Sequence, residues 1–282
     1  MERKDKRICA LTMVRGDELY LRRWVDYYGA QLGRDNLYVL FDGEDQIVPP
    51  FCEGVNTEVC PRTVGKIPAA DKGRMAKINA KAANLFGSYD VVIGTDVDEF
   101  LIPDPETGLS LREFIESYNG CRVSISGLGV DVGQKLGQEQ PIDWERPFLC
   151  QRHSAKLSTR YSKPSVLLQP CRWGSGFHRV KGHDFHIVKD LYLFHFGCVD
   201  FDLLKSKMGD RDKLQSGWSR HLRKRAGTIR LVTSRKARSW ECTVPVARAV
   251  QNLVRPPYAL NKPSMFELKV VVRIPERFEN IV

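Results

Sequence analysis

The stretch Tyr89–Phe100, YDVVIGTDVDEF, decides the fold of this chain. Its first part is apolar, as in a buried strand, and Asp96, Asp98 and Glu99 follow directly after it. Carboxylates this close together raise one another's pKa unless a cation or a hydrogen-bond network compensates them. The pattern predicts a strand end that holds Mg²⁺ or Mn²⁺, which would in turn bind a diphosphate. A solvated acidic turn is the alternative, but the apolar residues Phe100–Pro103 anchor the acids in a core.

Length and composition indicate a globular protein with one large core or two moderate ones. The chain has 282 residues, of which 42% are hydrophobic and 28% are charged. No apolar stretch approaches the roughly 18 residues needed to span a bilayer, and Met1–Arg7 lacks the apolar segment of a signal peptide. We therefore expect a cytoplasmic protein, with a peripheral place at the inner face of the membrane as the other option.

The cysteines predict neither disulfides nor a zinc site. No two of them form a Cys-x-x-Cys pair, and several lie in apolar, strand-like runs, so we expect reduced thiols in the core. The eight are Cys9, Cys52, Cys60, Cys121, Cys150, Cys171, Cys198 and Cys242.

The net charge of +10 is unevenly distributed. Residues 205–282 contain 18 Lys and Arg against 6 Asp and Glu, a net charge of +12, whereas residues 1–204 carry −2. The densest basic run, Arg220–Arg225, suits an anionic membrane or a lipid-linked diphosphate, and a solvated helix face explains it equally well. Because aromatic residues are sparse around it, we do not expect nucleic acid as a partner. We divide the chain into a main domain, residues 1–204, and a basic, partly helical C-terminal extension, residues 205–282.

The N-terminal part alternates between strand and helix patterns. Strands are predicted at residues 8–14, 36–41 and 55–60, and amphipathic helices at residues 17–32 and 71–86. Ser110–Glu113 is a capping box that opens a short helix, and Arg122–Leu128 has the pattern of a further strand. This alternation predicts an α/β protein with a mixed, mostly parallel central sheet and helices on its faces.

Four polar residues fall at or just past these strand ends. In parallel sheets ligands bind beyond the carboxyl ends of the strands, so we expect these residues to share one crevice. For each one alone, a role in a turn or a cap is an equally good interpretation. They are Thr12, Arg15, Asp42 and Asp96.

The middle of the chain, residues 129–197, is rich in Gly, Pro and His, which is typical of a binding face. His195 follows the apolar run Leu191–Phe194, just as Asp96 follows its own apolar run. We expect His195 to be a further metal ligand, which would favour Mn²⁺, whereas structural roles are more common for lone histidines. The motifs of zinc proteases, serine hydrolases and P-loop enzymes do not occur.

Four segments carry a resemblance to a known family. They are TMVRGDE at residues 12–18, WVDYY at 24–28, LYVLFD at 37–42 and VDEFL at 97–101. Together they resemble the GT-A glycosyltransferases of the family 2 and family 92 type, over about residues 7–200, with Asp-Val-Asp-Glu-Phe as the most specific part. Gly16–Glu18 departs from the pattern, since relatives usually show Asn-Glu there, so the resemblance gives less support to a contact of Arg15 with the ligand from this first loop.

The resemblance implies a Rossmann-like GT-A fold whose Asp-x-Asp motif holds Mn²⁺ or Mg²⁺ against the diphosphate of a nucleotide sugar. Carried over to this chain, Asp96 would lie towards the ribose or the sugar, and Asp98 would ligate the metal. His195, in His-Phe-Gly, matches a histidine that often adds another ligand. Lys163 lies in Lys-Pro-Ser-Val, which resembles a segment that follows the acceptor region.

We therefore expect an inverting, metal-dependent glycosyltransferase with a UDP- or GDP-sugar donor and a glycan, polysaccharide or lipid-linked acceptor. The charge of the leaving diphosphate would be stabilised by the metal with Lys163, His178 or Arg179. The acceptor hydroxyl needs a carboxylate base within hydrogen-bond reach. Candidates for the base, each of which could instead cap a turn, are Asp131, which we prefer, Asp143 and Glu145.

Two other functions remain as alternatives. A Mg²⁺-dependent phosphatase would use the first Asp of an Asp-x-Asp motif as nucleophile, but that motif usually opens its domain, whereas Asp96 follows a complete βαβ unit. A non-catalytic module that binds an anionic polymer or membrane through residues 205–282 would leave the acidic residues without a role.

Overall fold

The computed structural model of the chain describes residues 5–65, 67–209, 219–254, 261 and 269–282. They form an α/β fold in which helices lie against a mixed sheet. The strands are β1 (Ile8–Val14), β2 (Leu37–Asp42), β3 (Asn56–Cys60), β4 (Val91–Gly94), β5 (Glu99–Pro103), β6 (Ser124–Gly133), β7 (Ser154–Leu157), β8 (Val166–Leu167), β9 (Ile187–Cys198) and β10 (Val271–Arg273). The helices are α1 (Glu18–Leu32), α2 (Ile67–Leu85), α3 (Leu111–Ser117), α4 (Phe201–Gly209), α5 (Ser219–Ser234) and α6 (Trp240–Leu253).

The N-terminal half of the sheet is parallel. β1 pairs in parallel with β2 and β4, and β3 pairs in parallel with β2. The alternation of strand and helix patterns predicted this arrangement, and it is confirmed. Because parallel strands end at one edge of a sheet, the loops after β1, β2 and β4 meet there, and the last of these loops carries Asp96 and Asp98.

The other half of the sheet is mixed. β8 is antiparallel to both β4 and β6 and so joins the two halves. β6 is also antiparallel to β7, which pairs with β10, and it is parallel to β9. β9 in turn pairs with β5 in antiparallel register. The predicted α/β class with a mixed, mostly parallel sheet is confirmed.

Helix α1 ties the acidic loop to the core. Its buried side chains recur at helical spacing, as predicted. Trp24 Nε1 donates to Thr95 Oγ1 at 2.9 Å, and Tyr28 Oη accepts from Leu101 N at 2.9 Å. The helix therefore contacts both ends of the segment that contains Asp96 and Asp98. Its buried apolar residues are Tyr20, Leu21, Trp24, Val25, Tyr27, Tyr28 and Leu32.

The ends of strands and helices differ from the predicted ones where pairing between strands makes a strand longer than its local sequence pattern indicates. The capping box is present, with Ser110 and Glu113 each accepting from the other's backbone N–H. β6, however, continues past the predicted end at Leu128 as far as Gly133. The added residues are buried and pair with β7 and β9, so long-range pairing sets the length of this strand.

The C-terminal part packs into the same core as the rest. β10 pairs with β7, and the Trp240 ring stacks on Phe194 and contacts Phe278. The predicted division after residue 204 therefore crosses a continuous hydrophobic core, and the division into a main domain and a C-terminal extension stays a prediction. Arg220–Arg225 falls within α5, but its side chains lie outside the described residues.

The cysteines are all free, as predicted, but they differ in burial. Cys9, Cys52, Cys60 and Cys198 are buried. The prediction of core thiols is wrong for Cys121, in the loop after α3, and for Cys242, on the outer side of α6, because both are exposed. In the part of the chain that the structure describes, every helix is too short or too polar to cross a membrane.

Candidate metal site

Strand register brings the acidic residues and His195 together. Glu99, the first residue of β5, lies opposite His195 of β9. Asp131 of β6 is the neighbour of His195 on the other side. Phe196 N donates to Asp98 O at 2.8 Å and so fixes the acidic loop against β9. Residues far apart in the sequence therefore form one buried cluster.

The imidazole of His195 lies between two carboxylates. Nδ1 is 2.6 Å from Asp131 Oδ1, and Nε2 is 3.3 Å from Asp98 Oδ2. The second contact lacks hydrogen-bond geometry, so the buried Nε2 has no hydrogen-bond partner within the described residues. A buried polar atom without a partner is uncommon and suggests that another group completes it.

The ring of His195 is held from several sides. Tyr161 stacks on it, with ring centroids 3.8 Å apart and planes 14° from parallel. Thr228 of α5 donates from Oγ1 to Asp131 Oδ2 at 2.5 Å, so both oxygens of Asp131 are engaged. These contacts leave the imidazole little freedom to rotate, and they aim Nε2 at Asp98.

Gly197 keeps the space beside Nε2 open. A Cβ at this position would lie 2.7 Å from His195 Nε2 and 2.9 Å from Asp98 Oδ2, closer than real Cβ contacts. A glycine is therefore needed here for the geometry of these two atoms.

The electrostatic environment of His195 favours positive charge. Burial alone would lower the pKa of His195, but the carboxylates of Asp98 and Asp131 outweigh it and raise the pKa to about 9. The same anions would stabilise a metal cation that takes the place of a proton on Nε2.

Asp96 and Glu99 share two basic side chains. Lys163 Nζ is 2.9 Å from Asp96 Oδ2 and 2.6 Å from Glu99 Oε1, and Arg74 of α2 pairs with Asp96 Oδ1. Burial would raise the pKa of Asp96, but Lys163 and Arg74 hold it well below its usual range. Burial raises the pKa of Glu99 in spite of Lys163. Burial would also lower the pKa of Lys163, but Asp96 and Glu99 raise it.

The buried cluster around His195 has more carboxylates than basic groups, and its oxygen and nitrogen atoms suit Mg²⁺ or Mn²⁺ as ligands. Lys163 and Arg74 are the cations beside it, and His195 is the one imidazole between its carboxylates among the described residues. A divalent cation would compensate the remaining negative charge. Carboxylate oxygen suits Mg²⁺ and Mn²⁺, and the imidazole nitrogen favours the latter. The carboxylates are Asp96, Asp98, Glu99 and Asp131.

An alternative set of ligand atoms includes Cys198. Ligand atoms of Asp131, His195 and Cys198, all buried, lie within 4.8 Å of one another. A thiolate in the set would favour zinc. However, Asp131 Oδ1 already makes a hydrogen bond with His195 Nδ1. An ion bound through Nδ1 and Oδ1 would have to break that bond, so the Nε2 side with Asp98 is the better site.

Thr12 supports the acidic loop from β1. Its Oγ1 donates to Thr95 O at 2.9 Å, and the side chain is fully buried. This contact lies one residue before Asp96, and a role of Thr12 in binding a nucleotide stays a prediction.

Arg15 and Asp42 are held together in the loops after β1 and β2. Arg15 donates to Asp42 O at 2.7 Å and pairs with Asp45 at 2.7 Å. Asp42 Oδ1 accepts from both N and Oγ1 of Thr63 and pairs with Lys77 at 3.2 Å. The side chain of Asp42 thus contacts other residues of the protein, Thr63 and Lys77. Nucleotide binding by Arg15 and Asp42 stays a prediction.

The three predicted basic residues have different environments. Lys163 belongs to the cluster. His178 Nδ1 is 3.1 Å from Arg160 O, and burial together with the charge of Lys163 lowers the pKa of His178 to about 3, so it is neutral at physiological pH. Arg179 is exposed, with its stem over Gly174. Lys163 is thus the one of the three that the structure pairs with the acidic residues.

The three predicted base candidates are also separated. Asp131 lies in the cluster and binds His195. Asp143 and Glu145 lie in an exposed turn in which Asp143 Oδ1 accepts from Glu145 N at 3.0 Å. Asp143 therefore caps a turn, and neither residue has a contact with the cluster in the described part of the chain.

Three residues of the site were not predicted. Arg74 directly precedes Met75, which is buried on the inner face of α2. A charged residue so close to a buried position is the one signal in the sequence that could have identified Arg74 as a partner of Asp96. Tyr161 and Thr228 reach His195 and Asp131 from distant segments. No local pattern marks either residue.

Comparison with known proteins gives structural likenesses alone. No protein-family model matches the sequence, and no curated protein matches it either. One similar structure is a mannosyltransferase from Pyrobaculum calidifontis in complex with GDP-Man and Mn²⁺, at 14% identity and a TM-score of 0.38, covering 90% of this chain and 82% of that one. Another is a mannose-1-phosphate geranyltransferase from Thermus thermophilus, at 10% identity and a TM-score of 0.31, covering 97% of this chain and 77% of that one. Both likenesses are distant, so the function has to be inferred from this chain's own residues.

Proposed function

We propose that the chain is an inverting, metal-dependent glycosyltransferase that moves a sugar from a UDP- or GDP-sugar to a hydroxyl acceptor. The observation that carries the proposal is the position of His195 Nε2, which lies 3.3 Å from Asp98 Oδ2, has no hydrogen-bond partner among the described residues and borders the space that Gly197 leaves free of a side chain. This geometry supports a cation site at the end of the acidic loop.

Asp98 and His195 would hold the ion, and Asp96 stays a proposed further ligand, which would have to release Lys163 or Arg74 to bind it. When bound, Mn²⁺ or Mg²⁺ would neutralise charge on the diphosphate that leaves the anomeric carbon. Asp131 accepts a hydrogen bond from His195 Nδ1–H, which places the lone pair of the neutral imidazole on Nε2. Thr228 holds Asp131 in turn. The chain from Thr228 to Asp98 therefore positions the ligand atoms before any ion arrives.

Lys163 and Arg74 would bind the donor phosphates or keep Asp96 in place towards the ribose or sugar. Both already pair with Asp96. Negative charge that develops on the leaving group would be stabilised by cations fixed in advance in a buried site. We also propose that further residues contact the donor. They are Thr12, Arg15, Asp42, His178 and Arg179.

The base that takes the proton of the acceptor hydroxyl is proposed among Asp131, Asp143 and Glu145. Of these, Asp131 lies nearest to the ion site, but both its oxygens are engaged by His195 and Thr228. We therefore propose a positioning role for Asp131 first, and catalysis by it would require one of these bonds to open. A glycan, polysaccharide or lipid-linked molecule is the proposed acceptor, and the proposed location is the cytoplasm.

A phosphatase that uses Asp96 as nucleophile is less well supported. Such a nucleophile needs a carboxylate oxygen free to attack phosphorus. One oxygen of Asp96 pairs with Lys163 and the other with Arg74.

Incubation of the protein with Mn²⁺ and a panel of UDP- and GDP-sugars tests the proposal. We expect slow donor hydrolysis without acceptor, its loss in Asp98→Asn, and its retention in Asp202→Asn, the same chemical change at an exposed position of α4. Cleavage of a generic phosphate ester without donor hydrolysis would contradict the transferase and favour the phosphatase.

A further inference from the structure

Helix α6 has apolar residues on two opposite faces. One face is buried in the core and includes Trp240, Val244 and Ala247. On the other side, Leu253 is 81% exposed and Val246 is 61% exposed. A surface helix normally presents polar residues to water. The exposed apolar residues, here called the α6 stripe, are Cys242, Pro245, Val246, Ala249, Val250, Leu253 and Val254.

Hydrogen bonds fix the stripe in its outward orientation. Ser162 Oγ donates to Gln251 Oε1 at 2.5 Å. The side chain of Asn252 bonds both N and O of Ile187, at 2.9 and 3.0 Å. Because Gln251 on the buried face and Asn252 on its flank hold α6 to the body of the protein, the stripe cannot turn inward to bury itself.

Basic residues lie next to the stripe in the sequence. Arg235, Lys236 and Arg238 directly precede α6, and Arg248 lies within it. Glu241 is the one acid of residues 219–254, and it pairs with Arg277 at 2.8 Å. An apolar face among Lys and Arg residues is the composition of a helix that lies in the interface of a membrane with anionic lipids.

We propose that the α6 stripe is the surface by which the chain binds an anionic phospholipid bilayer. A second copy of the chain would also cover apolar residues, but it would bring together two C-terminal parts that each carry a net charge of +12, whereas an anionic bilayer would neutralise this charge. The inference stands independently of the transfer reaction. If that reaction holds as well, the bilayer is where a lipid-linked acceptor would be found.

Cosedimentation of the full-length protein with vesicles tests the inference. We expect the protein to bind vesicles of phosphatidylcholine with phosphatidylglycerol and to bind pure phosphatidylcholine more weakly. Leu253→Ser combined with Val246→Ser should reduce the apparent affinity at least about tenfold, since two exposed apolar side chains no longer enter the lipid. The matched control is Ile47→Ser, because Ile47 is 83% exposed but lies in the loop after β2, and it should bind like the wild type.

Three outcomes would overturn the inference. One is a wild type that does not bind the anionic vesicles, and another is binding that is equal in the double variant and the wild type. The third is self-association without lipid in analytical ultracentrifugation that the double variant abolishes, which would make a second copy the occupant. None of these measurements depends on a sugar donor, so failure here is distinct from failure of the proposed transferase.

Discussion

Substitution of Gly197 by alanine should impair ion binding at Asp98 and His195 specifically. The new Cβ would lie 2.7 Å from His195 Nε2 and 2.9 Å from Asp98 Oδ2. Ordinary carbon contacts begin at about 3.5 Å, so the two ligand atoms would have to withdraw by about 0.6–0.8 Å. His195 cannot easily withdraw, because Tyr161 stacks on it and Asp131 holds its Nδ1.

The expected loss in Mn²⁺ affinity is about 10–100-fold, the range seen when groups around metal ligands are changed. It corresponds to about 1.4–2.8 kcal/mol. Isothermal titration calorimetry with Mn²⁺, with and without GDP or UDP, measures it. Urea denaturation without metal gives separately the cost of the crowded methyl, about 1–3 kcal/mol.

Gly227→Ala is the matched control for this prediction. Gly227 lies on the exposed side of α5, and a Cβ there meets nothing within 4 Å. The change should leave Mn²⁺ affinity intact and stabilise the helix by up to about 1 kcal/mol. If Gly197→Ala bound Mn²⁺ as well as Gly227→Ala does, the space beside Nε2 would not be where the ion binds, and the reasoning would fail.

Three further predictions concern a metal ligand, its support and the ion pair of Arg277 with Asp104. Asp98→Asn should reduce Mn²⁺ affinity and donor hydrolysis together, whereas loss of hydrolysis with unchanged affinity in calorimetry would speak against a ligand role. Thr228→Val should weaken Mn²⁺ binding about tenfold and Thr228→Ser should restore it; equal calorimetric affinities of the two variants would refute a positioning role. Arg277 binds both oxygens of the buried Asp104, at 2.7 and 2.9 Å. Burial would raise the pKa of Asp104, but the hydrogen bonds from Arg277 lower it. The ion pair therefore stabilises the folded protein fully above the unfolded pKa of Asp104, about 3.9, and this stabilisation is lost as the pH falls through the lower pKa of the folded state. In urea denaturation, Arg277→Met should cost about 1.5–3 kcal/mol near neutral pH and less in acid, and a cost independent of pH would contradict this.

The sequence was most informative where local pattern and chemistry coincide. The apolar run before Asp96 predicted a strand end, and β4 ends at Gly94 just before it. The run before His195 likewise indicated a strand, although β9 continues through His195 to Cys198. Because both patterns are local, the parallel βαβ opening and the position of the acidic loop could be predicted.

The supports of the site could not be predicted in the same way. Thr228 lies 97 positions from Asp131 along the chain, and their contact exists because α5 packs on β6. The role of Asp131 depends on the parallel pairing of β6 with β9, which neither strand's composition indicates. Asp143 was a further candidate for the base after Asp131, and its exposure in a turn is decided by the fold of the surrounding loop.

The most direct test of the central claim is an anomalous-scattering map from crystals soaked with Mn²⁺ and GDP or UDP. We predict a manganese peak within bonding distance of Asp98 Oδ2 and His195 Nε2, with the diphosphate on its open side. A peak among Asp131, His195 Nδ1 and Cys198, or no peak at the acidic loop at all, would contradict the account.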